Sequence, residues 1–394
     1  MTGPVPGSEP LGFDDLSEDS LRAAGSLKWT RYGAAIGAFV AEMDFGTAPS
    51  VTAALHDAVD SSRLGYLTTV AAADMGRACA DWQRRRYGWD VPPERITPLA
   101  DVVAGLQATI ERFTPPGSPV VLPTPAYMPF LTVPGALGRK LIEVPMVGRD
   151  GRMGYDLDGI ARAFADGARL LVHVNPHNPL GRVFTAEEQL ALADVVEDAG
   201  ARVFSDEIHA PLVHPGAVHR PYASLSPATA RHTLTATSAS KAWNLPGLKA
   251  AQLILSNAED VAHWERVGAL YTHGASTPGV LANTTAYDAG GTWLDGVLAY
   301  LEGNRRLLGQ LLADRLPGVR WTPPEGTYLA WLDCRELGLP TSAGEFFLER
   351  AGVAMVDGPE CGAPGAGHVR LNFATSRPLL IAIVDRMADA VRRR

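Results

Sequence analysis

Three apolar runs in the middle of the chain each end in polar residues, and this arrangement restricts the fold more than any other sequence feature. The runs with their polar ends read LLVHVNPHNP from 170, RVFSDEIH from 202 and TLTATSASK from 233. We interpret each run as a short buried strand. The polar ends would then meet at one edge of a sheet, where open α/β folds bind their ligands.

Strand-like and helix-like segments alternate from Asp101 onward, which favours a parallel sheet covered by helices on both faces. After about residue 315 the pattern predicts a smaller α+β domain that ends in a helix. With 394 residues and 46% hydrophobic content, the chain is long enough for two packed regions. We therefore expect an N-terminal arm over 1–48, flexible up to about residue 25, a large domain over 49–285 and a small domain over 286–394.

Charge and cysteine usage restrict the class of function. The chain has 35 basic and 43 acidic residues, a net charge of -8, and no Lys/Arg stripe, which argues against a nucleic-acid partner. Cys79, Cys334 and Cys361 are isolated, so they predict neither a disulfide framework nor a paired metal site. We expect no signal peptide and no membrane segment, and hence a cytoplasmic location.

The polar ends of the three runs resemble the motifs of a known family. They read N-P-H-N-P-x-G around Asn178, D-E-I-H from Asp206 and S-x-S-K ending at Lys241, followed by P-G-x-K ending at Lys249. In this order they are similar to motifs of the fold type I pyridoxal phosphate enzymes in the class I/II aminotransferase superfamily. The resemblance implies an α/β, aspartate-aminotransferase-like fold, with a mostly parallel seven-stranded sheet sandwiched by helices and a smaller α+β domain. It also implies pyridoxal 5'-phosphate as the cofactor.

Lys241 and Asp206 have the residue types that this cofactor needs. Lys241 stands among small and polar residues, which suits an amine that bonds to an aldehyde once desolvation lowers its pKa. The resemblance makes it the attachment point and the base that moves the Cα proton. Asp206 ends a buried run and needs a partner, for which the resemblance supplies the protonated pyridine nitrogen. The alternatives are a solvated surface lysine, and a helix cap or surface ion pair for the aspartate.

Three further side chains are assigned to the cofactor ring by the resemblance. Asn178 is expected to bond the phenolic oxygen, next to the substrate, and His209 stands near the same oxygen where many relatives carry Tyr. Tyr127, in PTPAYMPF, is expected to stack on the ring as a catalytic-site aromatic. The alternatives are a turn asparagine before Pro179 and a core tyrosine at a helix start.

A cofactor phosphate needs several donors. A helix that opens at Val102 and Val103 would offer free backbone N–H groups and the positive end of its dipole. Ser238 and Ser240 would add hydroxyl groups, and Lys249 would add a cation where many relatives have Arg.

Two further predicted contacts, Tyr66 and Arg370, lie outside these motifs. Tyr66 resembles the residue that reaches the phosphate of the neighbouring subunit, which implies a homodimer with a shared active site; loop packing is the alternative. Arg370, in HVRLNFA, ends an apolar strand, where a buried guanidinium needs an anion. The resemblance makes Arg370 the clamp for the α-carboxylate of an amino-acid substrate, and a structural salt bridge is the alternative.

The segment from D-E-I-H onward also admits a metal-site interpretation. His209, His214 and His219 follow one another at intervals of five, which places them on no common helix face, and no H-E-x-x-H occurs. We therefore expect no metal ion.

The core motifs serve both amino transfer and elimination. The stretches GSLKW, AEMDFGTAP and DEIHAPLVHPGAVHRPYASL resemble the cystathionine beta-lyase or cysteine-S-conjugate beta-lyase branch, although Glu42 stands where that branch usually has Asp. The resemblance implies cleavage of a carbon–sulfur bond to give thiol, pyruvate and ammonia. An aminotransferase, a specialised variant acting on an unusual cysteine conjugate, and a non-enzymatic binding protein with the same fold are the alternatives.

Overall fold

The computed structural model describes residues 12–149 and 152–394. Residues 1–11 of the segment that we expected to be flexible lie outside the described residues. The expectation was wrong for the rest of that segment, because Glu18–Ala24 forms a helix. Ser17 accepts a hydrogen bond from Ser20 N, and the Ser20 side chain bonds back to the Ser17 backbone, so a reciprocal cap starts the helix.

The helices are numbered here in chain order. They are α1 Glu18–Ala24, α2 Leu27–Thr30, α3 Pro49–Asp60, α4 Thr69–Tyr87, α5 Val102–Phe113, α6 Met128–Ala136, α7 Leu157–Ala165, α8 Ala186–Asp198, α9 Pro227–His232, α10 Ala258–Val267, α11 Ala269–Thr272, α12 Thr277–Ala289, α13 Gly291–Arg315, α14 Ala343–Phe346 and α15 Arg377–Arg392. A π-helical turn over Phe347–Ala351 continues α14.

The strands have two to five residues each. They are β1 Ile36–Gly37, β2 Ile96–Leu99, β3 Val120–Thr124, β4 Leu141–Pro145, β5 Val147–Arg149, β6 Arg152–Gly154, β7 Leu170–Val174, β8 Arg202–Asp206, β9 Thr233–Thr237, β10 Ala251–Leu255, β11 Arg320–Trp321, β12 Leu329–Asp333, β13 Val353–Ala354, β14 Val356–Asp357 and β15 His368–Asn372.

Seven strands form the large sheet, in the order β2-β10-β9-β8-β7-β3-β4. Only β10 runs against its neighbours, so the sheet is mostly parallel, as predicted. Strands β7, β8 and β9, which are the three apolar runs, lie side by side. Their polar ends therefore meet at one edge of the sheet.

Helices cover both faces of this sheet. Leu106 on α5, Phe130 on α6 and Trp264 on α10 share one hydrophobic cluster with strand residues. Ile160 on α7 and Leu192 on α8 belong to a second cluster with other strand residues. Successive side chains of a strand point to opposite faces of the sheet. Because helices cover both faces, these strands have apolar side chains on both.

The C-terminal part contains a four-stranded antiparallel sheet, in the order β11-β12-β15-β14. Helices α13 and α15 pack with it in a shared core that includes Leu301, Leu329, Leu371 and Ile383. The predicted domain boundary at 285/286 lies within α12. The helical structure is interrupted a few residues later, at Gly290, between α12 and α13. The division into domains stays a prediction.

The N-terminal arm runs against the small sheet before it enters α3. Strand β1 pairs in parallel with β13, and further along Ala38 O accepts a hydrogen bond from Asn372 N. This places residues 38–44 between the small sheet and the polar edge of the large one. Among the described residues, none of the helices combines the length and the apolar character needed to cross a bilayer.

Candidate active site

A cavity of about 600 Å³ opens at the polar edge of the large sheet. Its walls come from the large sheet edge, the N-terminal arm and the small sheet. Of the predicted site residues, it is lined by Val102, Val103, Tyr127, Asn178, Asp206, His209, Ser240, Lys241, Lys249 and Arg370. Two predicted residues, Ser238 and Tyr66, are not among its lining residues.

Asp206 is the last residue of β8 and is 4% exposed. Its Oδ1 accepts one hydrogen bond, from Ile208 N at 3.1 Å, and the carboxylate forms no ion pair with any residue in the described ranges. Burial, which disfavours the charged form, raises the pKa of Asp206 to about 7. A cation bound next to the Asp206 carboxylate would stabilise its charged form.

Lys241 follows β9 in a turn, and its Nζ donates a hydrogen bond to Ala41 O at 3.0 Å. Burial and then the charge of Arg370 lower the pKa of Lys241 to about 8. Ala41 O also accepts a hydrogen bond from Tyr328 Oη at 2.9 Å. The carbonyl group of Ala41 therefore links Lys241 to Tyr328 of the small domain. With a pKa of about 8, a measurable fraction of the Lys241 amine is unprotonated near neutral pH.

Arg370 in β15 reaches across to the large domain. Its Nη1 donates to Asn178 Oδ1 at 2.9 Å, and its Nη2 donates to Phe39 O at 2.7 Å. No oxygen of the described residues accepts from its Nε, although the residue is 2% exposed. Donors of the guanidinium thus remain available for an anion in the cavity.

His209 and Tyr127 line the same cavity as Asp206. Burial, with the charges of Lys241 and Arg370, lowers the pKa of His209 well below its usual range, so the ring is neutral. Its Nδ1 is buried and has no hydrogen-bond partner in the part of the chain that the structure describes. Tyr127 precedes α6, its ring meets Phe130 edge-on at 5.3 Å, and burial raises the pKa of its hydroxyl.

The first turn of α5 forms one wall, and Asp101 caps it by accepting from Ala104 N at 2.8 Å. Lys249, whose φ of 51° lies in the left-handed region, pairs through Nζ with Asp101 Oδ2 at 2.9 Å. This ion pair was not predicted. It brings Lys249 to the start of the helix at Val102, beside Ser240 on the cavity wall.

The Ser238 hydroxyl bonds to the chain itself, and its predicted contact with the phosphate stays a prediction. Its hydroxyl donates to Ala250 O at 2.7 Å and accepts from Ser240 N at 3.0 Å. The side chain is 1% exposed, so its bonds to the chain itself leave it no access to the cavity. Ser238 fixes the turn that presents Ser240 and Lys241.

Tyr66 lies outside the cavity of its own chain. It is 89% exposed, and its nearest ring contact is His273, at 6.0 Å between ring centroids. Its predicted role in the neighbouring subunit stays a prediction.

Sequence reasoning missed how the arm is held. Lys28 of GSLKW pairs through Nζ with Asp44 of AEMDF at 2.9 Å, and both side chains are about 2% exposed or less. Trp29 Nε1 donates to the second carboxylate oxygen of Asp44 at 2.8 Å. Asn372 Nδ2 donates to Val40 O and Glu42 O at 2.7 and 2.6 Å. Asn372 stands two residues after Arg370, on the same face of β15, and that spacing is the one signal available in the sequence.

His214 and His219 form hydrogen bonds with other residues of the chain. His219 Nε2 lies 3.2 Å from the buried Glu207 carboxylate, and His214 Nε2 lies 2.8 Å from Thr327 O. Within residues 12–149 and 152–394, no group of three or more His, Cys, Asp or Glu is arranged to hold a metal ion.

The fold and the cavity define a class of protein: an open α/β domain with a smaller antiparallel domain, and a buried acid, an amine and a guanidinium between them. Comparison with known proteins identifies the family. The family model for aminotransferase class I and II matches residues 39–386, and the chain belongs to this family.

The relatives include enzymes that act on carbon–sulfur bonds. A cystathionine beta-lyase from Corynebacterium glutamicum is 38% identical, over 97% of this chain and 100% of the relative. The pyridoxal phosphate-bound C-S lyase from Staphylococcus hominis is 27% identical with a TM-score of 0.88, covering 94% of this chain and 96% of that one. Cystalysin from Treponema denticola is 27% identical with a TM-score of 0.90, covering 97% and 99%. The predicted fold type I architecture is thereby confirmed.

Proposed function

We propose that the protein is a pyridoxal phosphate-dependent carbon–sulfur beta-lyase. It takes cystathionine or another cysteine S-conjugate and water, and releases a thiol, pyruvate and ammonia. The observation that carries the proposal is the cavity that Asp206, Lys241 and Arg370 line together. The cystathionine beta-lyase and C-S lyases to which the chain is similar support the choice of reaction.

The residues in the cavity fit the cofactor. Asp206 is a buried carboxylate that forms no ion pair with the residues that the structure describes, which suits a protonated pyridine nitrogen. Asn178 and His209 would contact the phenolic oxygen and Tyr127 the ring face. The first turn of α5 at Val102 and Val103, with Ser240 and Lys249, would hold the phosphate. Lys249 would then exchange its bond to Asp101 for one to the phosphate.

The chain supplies binding and proton transfer. When bound, pyridoxal phosphate supplies an electron-accepting ring that spreads the charge left on Cα. Arg370 holds the α-carboxylate, which fixes Cα relative to Lys241. Lys241 Nζ removes the Cα proton, because its lowered pKa makes the free amine available near neutral pH. The sulfur then leaves Cβ as a thiolate.

The assembly and location that we propose are a homodimer and the cytoplasm. Tyr66, highly exposed in the single chain, would complete the phosphate site of the partner subunit. Three buried cysteines without disulfides suit a reducing compartment.

A panel of cysteine S-conjugates, assayed with and without 2-oxo acids, tests the reaction. A lyase releases pyruvate and free thiol in equal amounts without any 2-oxo acid. The second candidate is an aminotransferase, which the family model favours. If turnover requires a 2-oxo acid and releases no thiol, the lyase proposal is wrong and the aminotransferase is supported.

A further inference from the structure

We propose that Arg31, at the mouth of the cavity, binds a carboxylate on the sulfur substituent of the substrate. The inference deepens the proposed function, on which it rests: it assigns the substrate class as cysteine S-conjugates whose leaving thiol ends in an acid. Arg31 was not among the residues singled out from the sequence.

The charges that line the cavity lead to this residue. Four cationic side chains, Arg31, Lys241, Lys249 and Arg370, line it. Lys241 bonds Ala41 O, Lys249 bonds Asp101, and Arg370 bonds Asn178 and Phe39 O. The side chain of Arg31, alone of the four, bonds to no oxygen of the described residues. Its charge is available to a ligand.

Aromatic rings hold the free guanidinium in place. Arg31 Cζ lies 5.5 Å from the centroid of Tyr32 and 5.9 Å from that of Phe39. The two rings meet edge-on at 5.0 Å. The N–H donors of a guanidinium lie in its own plane, so packing against aromatic rings leaves them free. The group can still bind a carboxylate with two hydrogen bonds.

Phe39 connects the two arginines of the cavity. Its carbonyl accepts from Arg370 Nη2 at 2.7 Å, while its ring contacts Arg31. Val40 and Met128, which also line the cavity, pack against the hydrophobic cluster that contains Phe39. A substrate whose α-carboxylate lies at Arg370 would therefore run its sulfur and methylene groups along an apolar wall and end at Arg31.

Two substrates of equal shape test the assignment in the full-length holoenzyme. S-(2-carboxyethyl)-L-cysteine ends in a carboxylate, and S-(2-carbamoylethyl)-L-cysteine ends in a neutral amide. Arg31→Gln should lower kcat/KM for the acid about tenfold, chiefly through KM, and leave kcat/KM for the amide unchanged. Arg31→Lys should restore part of the loss. Arg84→Gln, on the exposed surface of α4, is the matched control and should change neither value.

Binding without turnover gives a second measurement. In Lys241→Ala protein loaded with cofactor, calorimetry should show that Arg31→Gln weakens binding of the acid and not of the amide. An equal loss for both substrates, or no loss for either, overturns the role of Arg31. If the wild type releases no thiol from either conjugate, the proposed reaction fails instead, and the calorimetric comparison still decides the role of Arg31.

Discussion

Arg370 Nη1 donates a hydrogen bond to Asn178 Oδ1 at 2.9 Å and so joins the small sheet to the loop after β7. The bond connects a residue assigned to substrate with one assigned to the cofactor ring. Each side chain therefore fixes the other, and the substrate subsite depends on the relative position of the two sheets.

Arg370→Ala should reduce kcat/KM for substrates with an α-carboxylate. The reduction should correspond to a loss of about 2 to 4 kcal/mol of transition-state stabilisation, because a charge-assisted clamp is lost. Steady-state kinetics with a cysteine S-conjugate measure the loss. The corresponding S-substituted cysteamine, which lacks the carboxylate, is the control and should be turned over equally by both proteins. An unchanged kcat/KM for the conjugate would remove Arg370 from the substrate site.

Asp206→Asn should have opposite effects on the cofactor-free and cofactor-bound protein. Burial raises the pKa of Asp206 from 3.8 to about 7, so the folded protein binds more protons than the unfolded chain between these values. The free energy of unfolding therefore falls as pH rises through that range. Above pH 7 the cofactor-free variant should be more stable than wild type by about 2 to 4 kcal/mol, and at pH 4 the two should agree.

The same substitution should weaken cofactor binding, since the asparagine cannot pair with a protonated ring nitrogen. Urea unfolding at several pH values and titration with pyridoxal phosphate measure the two effects. Loss of stability in the cofactor-free variant would show that Asp206 has a structural partner instead.

The large sheet could be predicted from the sequence, because each of the three apolar runs has the length of a strand and ends in polar residues. β7, β8 and β9 were recognised, and so was the meeting of Asn178, Asp206 and Lys241 at one edge. The separation of α12 from α13 at Gly290 could not be predicted from the sequence, because the apolar pattern continues across this residue.

The contacts between distant segments could not be predicted in the same way. Ala41 and Phe39 act through backbone carbonyls, which carry no side-chain signal. Ser238 has the expected residue type, but its hydroxyl bonds to Ala250 O, a choice that depends on the packing of β10. Arg31 stands out only when every other cation of the cavity has been assigned a partner.

Asp44→Asn should lower the free energy of unfolding by about 3 to 5 kcal/mol, because it leaves the buried Lys28 ammonium without an anion. The asparagine keeps the oxygen that Trp29 Nε1 bonds, but its NH2 group faces the Lys28 ammonium, so the substitution removes the charge and the acceptor of Lys28 Nζ together. Denaturant unfolding of the cofactor-free protein measures it. Asp295→Asn, which breaks the exposed pair with Arg86, should change stability by about 1 kcal/mol or less. Adding Lys28→Met to Asp44→Asn should restore part of the loss, and no recovery would mean that the loss comes from packing.

Lys241 should react with amine-directed reagents at a lower pH than an ordinary lysine. Burial lowers its pKa from 10.5 to about 8, and only the free amine is nucleophilic, so trace acylation of cofactor-free protein should reach half its maximum near pH 8. Mass spectrometry of the Lys241 peptide, with Nα-acetyl-lysine amide in the same mixture, gives the profile. The charges in the cavity fix the sign of two further shifts: Arg370→Gln should move the midpoint upward and Asp206→Asn downward, because Arg370 lowers the pKa of Lys241 and Asp206 raises it. A midpoint that neither variant moves would mean that Lys241 does not share a cavity with these two charges, and borohydride reduction of the holoenzyme should then attach the cofactor to a different residue.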